Sequence, residues 1–331
     1  MNSIGKVLST LILLTLIAGP ALATTEITLD TGTETFTGLL LEGSDNPNVG
    51  VVFFHGRGQH PDGDVVHHLR NSLHADGYTT LSLENPIPVT GNTSFDDYKT
   101  YEDTIDNQVF ARATAAVNEL RARNSRIDTI VISGFSLGSR FATAIAAAWE
   151  QGLLTDISNG IELAGLVGAG MYTGIGATTP TVIPPGSTDD INVYDTLNNL
   201  RLIANIPVLD IYGDLDTSAA SLAAARLTAF KGEPGIYTQV ALTCPNFNTE
   251  NWYARSNGLA VPYEENRCHQ LRNGFLTEEN AVNQAVDFRL RGTPEAPLES
   301  SASEWLAANV PLIAVPPARG LPFLPLLLES E

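Results

Sequence analysis

Val131-Ile132-Ser133-Gly134-Phe135-Ser136-Leu137-Gly138-Ser139-Arg140 sets a Gly-x-Ser-x-Gly pentapeptide between an apolar run and a segment of helical pattern. Before the pentapeptide, Asp128 to Ser133 reads as a buried strand, with Ile130, Val131 and Ile132 in succession. After it, Leu137, Phe141, Ile145 and Trp149 recur every four residues and mark one face of a helix. The spacing has a steric reason. A serine on a tight strand-to-helix turn keeps its hydroxyl clear of the sheet, and glycines on either side remove Cβ atoms that would collide with backbone as the chain reverses. The turn also puts the N–H of Leu137 at the head of the helix, aimed where an oxyanion would form.

The same alternation extends in both directions. Glu26 to Leu29 and Thr35 to Leu41 read as an opening hairpin region, and Gly50 to Phe54 as a short buried strand ending at His55-Gly56. A helix over Val65 to Ala75, a strand over Tyr78 to Leu83 and a long helix over Tyr101 to Arg123 complete the stretch before the serine turn. Beyond its helix come a strand over Leu163 to Ala169, a helix over Asn192 to Ala204 and a strand over Pro207 to Tyr212. An alanine-rich helix over Ser218 to Phe230 and a last strand over Tyr237 to Leu242 follow. Strands alternating with helices predict an α/β fold, a mostly parallel central sheet with helices on both faces. The serine turn in this setting resembles the nucleophile elbow of the α/β-hydrolase superfamily.

The first residues predict export. Lys6 supplies a positive start, Val7 to Gly19 an apolar core, and Ala21-Leu22-Ala23 an A-x-A cleavage site, so residues 1–23 read as a signal peptide. The apolar run is too short for a stable membrane span, and a periplasmic or secreted chain starting near Thr24 is expected. Residues 24–331 then read as one domain, with Tyr172 to Asp190 as a candidate lid insertion (172–190) and the aromatic stretch 245–266 as a pocket loop. The 331-residue chain carries a net charge of −19, which argues against nucleic acid and anionic membrane surfaces as partners. Cys244 and Cys268 are expected to be bonded to each other in an oxidising compartment, closing a loop for a gain of roughly 3 kcal/mol.

A serine hydroxyl is a weak nucleophile near neutral pH and needs a base, which in turn needs an orienting carboxylate. In this kind of fold they follow in the order serine, acid, histidine. His55, His60, His67, His68 and His74 all precede Ser136, which leaves His269 as the candidate base. Pro207-Val208-Leu209-Asp210-Ile211-Tyr212-Gly213-Asp214-Leu215-Asp216 runs off the end of a strand and offers the acid. Asp216 is the first choice and Asp214 the alternative, while Asp210 would point into the layer beneath the sheet and need a buried partner of its own. Because Cys268 directly precedes His269, a bond to Cys244 would also tether the base. The glycine-rich turn His55-Gly56-Arg57-Gly58 supplies the second oxyanion donor, the N–H of Arg57 or of Gly58, beside that of Leu137.

The phrase His55-Gly56-Arg57-Gly58-Gln59-His60-Pro61-Asp62, with Leu69-Arg70 and Gly77-Tyr78 downstream, resembles a proteobacterial α/β-hydrolase-like family of exported proteins. The resemblance implies the fold and an esterase-type site over most of the chain after the signal, and it implies no particular substrate. A zinc reading of His60, Asp62, His67 and His68 is weakened by the adjacency of His67 and His68, which puts them on different faces of a helix, and by the lack of an HExxH pattern. No metal or cofactor is needed for the serine chemistry. The expected partner is a small-molecule ester or other acyl substrate. A hydrolase fold kept as a non-catalytic binding module, and an acyltransferase or amidase using the same three residues, are the alternatives.

Overall fold

The computed structural model describes residues 24–43, 48–158, 160–172, 191–214, 216, 218–242, 253–256, 259–262, 269, 298–310 and 312. Eight strands form the main sheet. In chain order they are β1 (Thr25–Asp30), β2 (Thr35–Leu41), β3 (Val49–Phe54), β4 (Thr79–Leu83), β5 (Thr129–Phe135), β6 (Glu162–Ala169), β7 (Val208–Gly213) and β8 (Tyr237–Leu242). Their spatial order is β1-β2-β4-β3-β5-β6-β7-β8. β1 with β2 and β2 with β4 are antiparallel, and every pair from β4 through β8 is parallel. The mostly parallel sheet expected from the alternation is therefore present.

Helices α1 (Asp64–Ala75), α2 (Phe95–Thr100), α3 (Glu102–Arg123), α4 (Leu137–Glu150), α5 (Thr155–Ser158), α6 (Thr196–Leu200), α7 (Ala223–Ala229) and α8 (Leu298–Asn309) cover the sheet. The two faces read directly from the period-two pattern of a strand buried on both sides. In β3, Val51 and Phe53 join Val65, Leu69 and Leu73 of α1 and Leu298, Trp305 and Leu306 of α8 in one core. Val52 and Phe54 turn to the other face, with Val109, Val117 and Leu120 of α3 and Phe141 and Ile145 of α4. α4 is buried along nearly its whole length, from Leu137 to Ala148, with alanines and other small residues filling the faces beside its Leu137, Phe141 and Ile145 stripe.

Two expected helices need correction, and a third helix is new. The helix expected over Asn192 to Ala204 is confined to Thr196–Leu200. Asparagine side chains claim the local backbone instead: Asn192 Oδ1 accepts the Tyr194 N–H at 2.7 Å, and Asn199 Nδ2 donates to the Asn192 carbonyl at 2.7 Å. The alanine-rich helix expected from Ser218 starts as a 3-10 turn over Ala220–Leu222 and becomes α-helical only at Ala223. α8 was not expected at all, although Leu298, Ala302, Trp305 and Leu306 repeat at helical spacing and are its buried face. Within the aromatic stretch 245–266, β9 (Tyr253–Ser256) and β10 (Leu259–Pro262) pair antiparallel, so Tyr237–Leu242 is the last strand of the main sheet and not, as expected, the last in the chain. The rest of that stretch, residues 173–190 of the candidate lid, residues 1–23 and both cysteines lie outside the described residues.

Candidate active site

The direction of strand addition reverses at β3, with β4 on one side and β5 on the other. In open α/β sheets such a reversal opens a crevice at the strands' carboxyl ends, because the two connections depart to opposite faces. The serine turn closes β5 and the His55-Gly56 turn closes β3, and the last residue of β3, Phe54, is in register with Gly134, one residue before the end of β5. Both expected halves of the site therefore meet at one place.

Ser136 adopts φ 53° and ψ −114°, the one non-glycine with positive φ among the described residues. This is the strained conformation of an elbow, and the surroundings impose it. The Ser136 N–H donates to the Ala169 carbonyl at 2.9 Å, and Ser139 Oγ and N–H both donate to the Ser136 carbonyl, at 2.6 and 3.0 Å. A Cβ at Gly134 would lie 2.1 Å from the Gly138 carbonyl oxygen, and one at Gly138 would lie 2.1 Å from the Phe54 carbonyl oxygen. The elbow thus packs backbone against backbone on both sides, which only glycine permits.

His269 stands between the elbow and the acid. Its Nε2 is 2.8 Å from Ser136 Oγ and its Nδ1 is 2.7 Å from Asp216 Oδ2. With Nδ1–H donating to the carboxylate, Nε2 is left as the acceptor for the serine proton. Asp216 is fully buried. Its other oxygen, Oδ1, accepts the N–H groups of Ser218 and Ala219 at 2.9 and 3.1 Å, as a helix N-cap does. Asp214, the alternative acid, is exposed at the end of β7, and its N–H donates to the Leu242 carbonyl. The side chain that meets His269 is that of Asp216.

Leu137 is the first residue of α4, so its N–H has no partner within the helix and lies at the positive end of the helix dipole. Arg57 and Gly58 form the turn after β3, Gly58 with φ +69°. That turn is held from below by His55, whose Nδ1 lies 2.8 Å from the Gly56 carbonyl and whose Nε2 accepts the Asn85 N–H at 3.1 Å. Asn85 Nδ2 returns a bond to the His55 carbonyl at 2.6 Å. Burial pulls the His55 pKa down to about 4, which keeps Nε2 free of a second proton and able to accept. His55 is a structural residue, as expected.

Asp210 has the buried partner the sequence called for. Arg226 donates Nε and Nη2 to its two oxygens at 2.8 and 3.1 Å, and both residues are fully buried. Tyr237 and Gln239 add bonds to Oδ2 at 3.1 and 2.9 Å. Burial pushes the Asp210 pKa up and the guanidinium opposes it. The residues of the zinc reading are otherwise engaged: Asp62 Oδ1 accepts from His67 Nδ1 at 2.8 Å and also from Arg70 Nη2. Burial alone would raise the Asp62 pKa, and these two partners carry it below the ordinary value. Among the described residues no group of three or more metal-ligating side chains gathers, and none of the helices there is long and apolar enough to cross a membrane.

Two side chains next to the Ser136, His269 and Asp216 hydrogen bonds were not anticipated. The Tyr172 ring meets the His269 ring at 5.7 Å and 81°, and the fully buried Arg140 sets its guanidinium over the Tyr172 ring at 3.8 Å. A single basic residue within the apolar helix that follows Ser136 was the available signal for Arg140.

The sheet order, the reversal at β3 and the serine elbow together define an α/β-hydrolase fold. No protein-family model matches the chain, and no curated protein matches its sequence. Solved structures match its chain path. A dienelactone hydrolase from Anabaena variabilis is 14% identical with TM-score 0.45, the match covering 67% of this chain and 86% of that one. An esterase from Pyrococcus furiosus is 15% identical with TM-score 0.45, over 67% and 84%. An α/β serine hydrolase without a lid from Xanthomonas campestris is 17% identical with TM-score 0.42, over 66% and 84%. At such similarity the fold assignment rests on this chain's own sheet and elbow.

Proposed function

We propose that this protein is an exported serine hydrolase of the carboxylesterase type. The observation that carries the reading is the unbroken chain of hydrogen bonds from Ser136 Oγ through both nitrogens of His269 to Asp216, at 2.8 and 2.7 Å. Ser136 Oγ attacks the ester carbonyl carbon while His269 Nε2 takes its proton, and Asp216 stabilises the imidazolium that results. The oxyanion of the tetrahedral intermediate is received by the N–H of Leu137 and that of Arg57 or Gly58. Collapse breaks the bond to the alkoxy oxygen, which leaves as an alcohol carrying the proton from His269. Water, deprotonated by His269, then attacks the acyl-enzyme and releases the acid, with the proton returning to Ser136. The chain's own residues complete this cycle.

The reading includes removal of residues 1–23 on export and a bond between Cys244 and Cys268 next to the base. Labelling by a fluorophosphonate tests the core of it. Wild type should label, and Ser136→Ala and His269→Ala should not. A folded wild type that fails to label would overturn the reading in favour of a hydrolase fold kept for binding.

A further inference from the structure

The His269 imidazole turns about its Cβ–Cγ bond, and a turn there carries Nδ1 off Asp216 and Nε2 off Ser136 together. Packing against the ring faces opposes that turn and keeps the Nε2 lone pair on the Ser136 hydroxyl. Two aromatic rings pack on it: Phe135, at 5.5 Å and 37°, and Tyr172, at 5.7 Å and 81°. Phe135 is the residue before the nucleophile and moves only with the elbow. Tyr172 lies beyond the end of β6, and its position is built by buried groups from elsewhere. Arg226 Nη1 donates to the Met171 carbonyl at 2.7 Å, and the buried Thr196 donates its hydroxyl to the Tyr172 carbonyl at 3.1 Å. The backbone is therefore pinned on both sides of the ring. The ring itself is gripped on its face by Arg140, whose guanidinium is fully buried one turn after Ser136 on α4. The negative face of a phenol ring attracts a cation, and the attraction is strongest where water is excluded. Just before Tyr172, Gly170 brings the backbone so near His269 that an added Cβ would lie 3.4 Å from the imidazole Cε1.

We infer that Tyr172 is a positioning residue, locked by Arg140, that fixes the plane of the His269 imidazole against Ser136. The inference rests on Ser136 and His269 acting as nucleophile and base, as proposed above. Arg140 acts at one remove, through the ring, and neither side chain is assigned a proton or a bond to substrate.

The test compares Tyr172→Leu, Tyr172→Phe and Arg140→Met by the rate of fluorophosphonate labelling and by kcat and KM on p-nitrophenyl butyrate. Misplacing a base by a fraction of an ångström should slow Tyr172→Leu by about 10- to 100-fold in both labelling and kcat, with KM held. Tyr172→Phe keeps the ring and should restore most of the rate. Arg140→Met should slow the reaction in the same sense, and adding it to Tyr172→Leu should cost little more, because the two act as one unit. Should Arg140→Met fail to fold, the two Tyr172 variants still decide. A Tyr172→Leu protein that labels at the wild-type rate and only raises KM would overturn the inference and make the ring a pocket wall. Loss in Tyr172→Phe equal to that in Tyr172→Leu would overturn it too, since the hydroxyl would then be the working group. So would an Arg140→Met protein that handles p-nitrophenyl butyrate normally and loses only esters bearing a carboxylate. Wild type that does not label at all would instead count against the serine hydrolase reading itself.

Discussion

Asp216 and Asp214 stand two residues apart, and their surroundings assign them different work. Asp216 is buried, accepts two backbone N–H groups on one oxygen and faces His269 with the other. Asp214 is exposed beyond β7. Replacing Asp216 by Asn puts an amide opposite the Nδ1–H and favours the wrong tautomer, so kcat/KM on p-nitrophenyl butyrate should fall by about 10⁴-fold. Asp214→Asn should leave it unchanged, and equal losses in the two variants would refute the assignment. His55 gives a second expectation at this scale. Its pKa is about 4 in the folded protein and the ordinary 6.5 when unfolded, so below pH 6.5 the unfolded chain binds the extra proton. The stability contributed by neutral His55 is full above pH 6.5 and is lost as pH falls toward 4, by about 3 kcal/mol in all. Urea midpoints measured across that window should fall with acidity in wild type, and the fall should shrink in His55→Gln. The hydrogen-bonded Ser136, His269 and Asp216 of the candidate site were legible because chain order and scarcity left few choices: five of the six histidines precede Ser136. Tyr172 was not, because a ring contact between distant segments leaves no pattern in its own segment, and Arg140 stood out only as a basic residue in an apolar helix.

At the scale of elements, the strands were read well and the helices unevenly, for one reason. A buried parallel strand is a run of apolar residues, and nothing competes with it for the backbone. Helix starts are contested by side chains that bond locally, and here the contest decided one of them. Asn192 and Asn199 kept α6 to five residues. The Asp216 carboxylate caps the N–H groups of Ser218 and Ala219, and the alanine-rich segment after it passes through a 3-10 turn before it becomes α-helical at Ala223. The start of α4 is the most demanding junction, since Gly138 packs on the carbonyl of Phe54 at the end of β3. Gly138→Ala should destabilise by about 3 kcal/mol or more, because the clash is with backbone that cannot move without shifting β3. Gly152→Ala makes the contrasting case: with φ +69° and nothing within 4 Å of an added Cβ, only the conformational cost remains, about 1 kcal/mol. Urea unfolding of the two variants should show that order, and the reverse order would mean that the elbow can relax.

For the whole molecule, the alternation of strands and helices announced a parallel sheet, but the order of strands depends on pairings between distant segments that sequence spacing does not encode. The same holds for the Asp210 and Arg226 pair, of which only the need for a partner was legible. That pair joins more of the molecule than its two elements. Arg226 binds Asp210 on β7, the Met171 carbonyl beyond β6 and the Ala219 carbonyl in the acid turn, while Tyr237 and Gln239 of β8 complete the carboxylate. Arg226→Met would leave a buried carboxylate without its cation and should cost about 3–5 kcal/mol at neutral pH. The pH dependence of that loss has a definite sign. Burial already pushes the Asp210 pKa up, and removal of the guanidinium takes away the opposing charge, so the folded variant binds a proton more tightly than its unfolded chain. A group with a raised folded pKa lends its stability below the unfolded value and loses it as pH rises through the folded one. Arg226→Met should therefore recover, relative to wild type, as pH is lowered, the opposite of the His55 effect. Asp210→Asn in the same chain should remove that recovery and part of the loss, because a neutral amide can keep accepting from Tyr237 and Gln239. Urea midpoints of the single and double variants from neutral to acid pH measure this, and a loss in Arg226→Met that does not vary with pH would show that the cost lies in packing rather than in an unpaired charge.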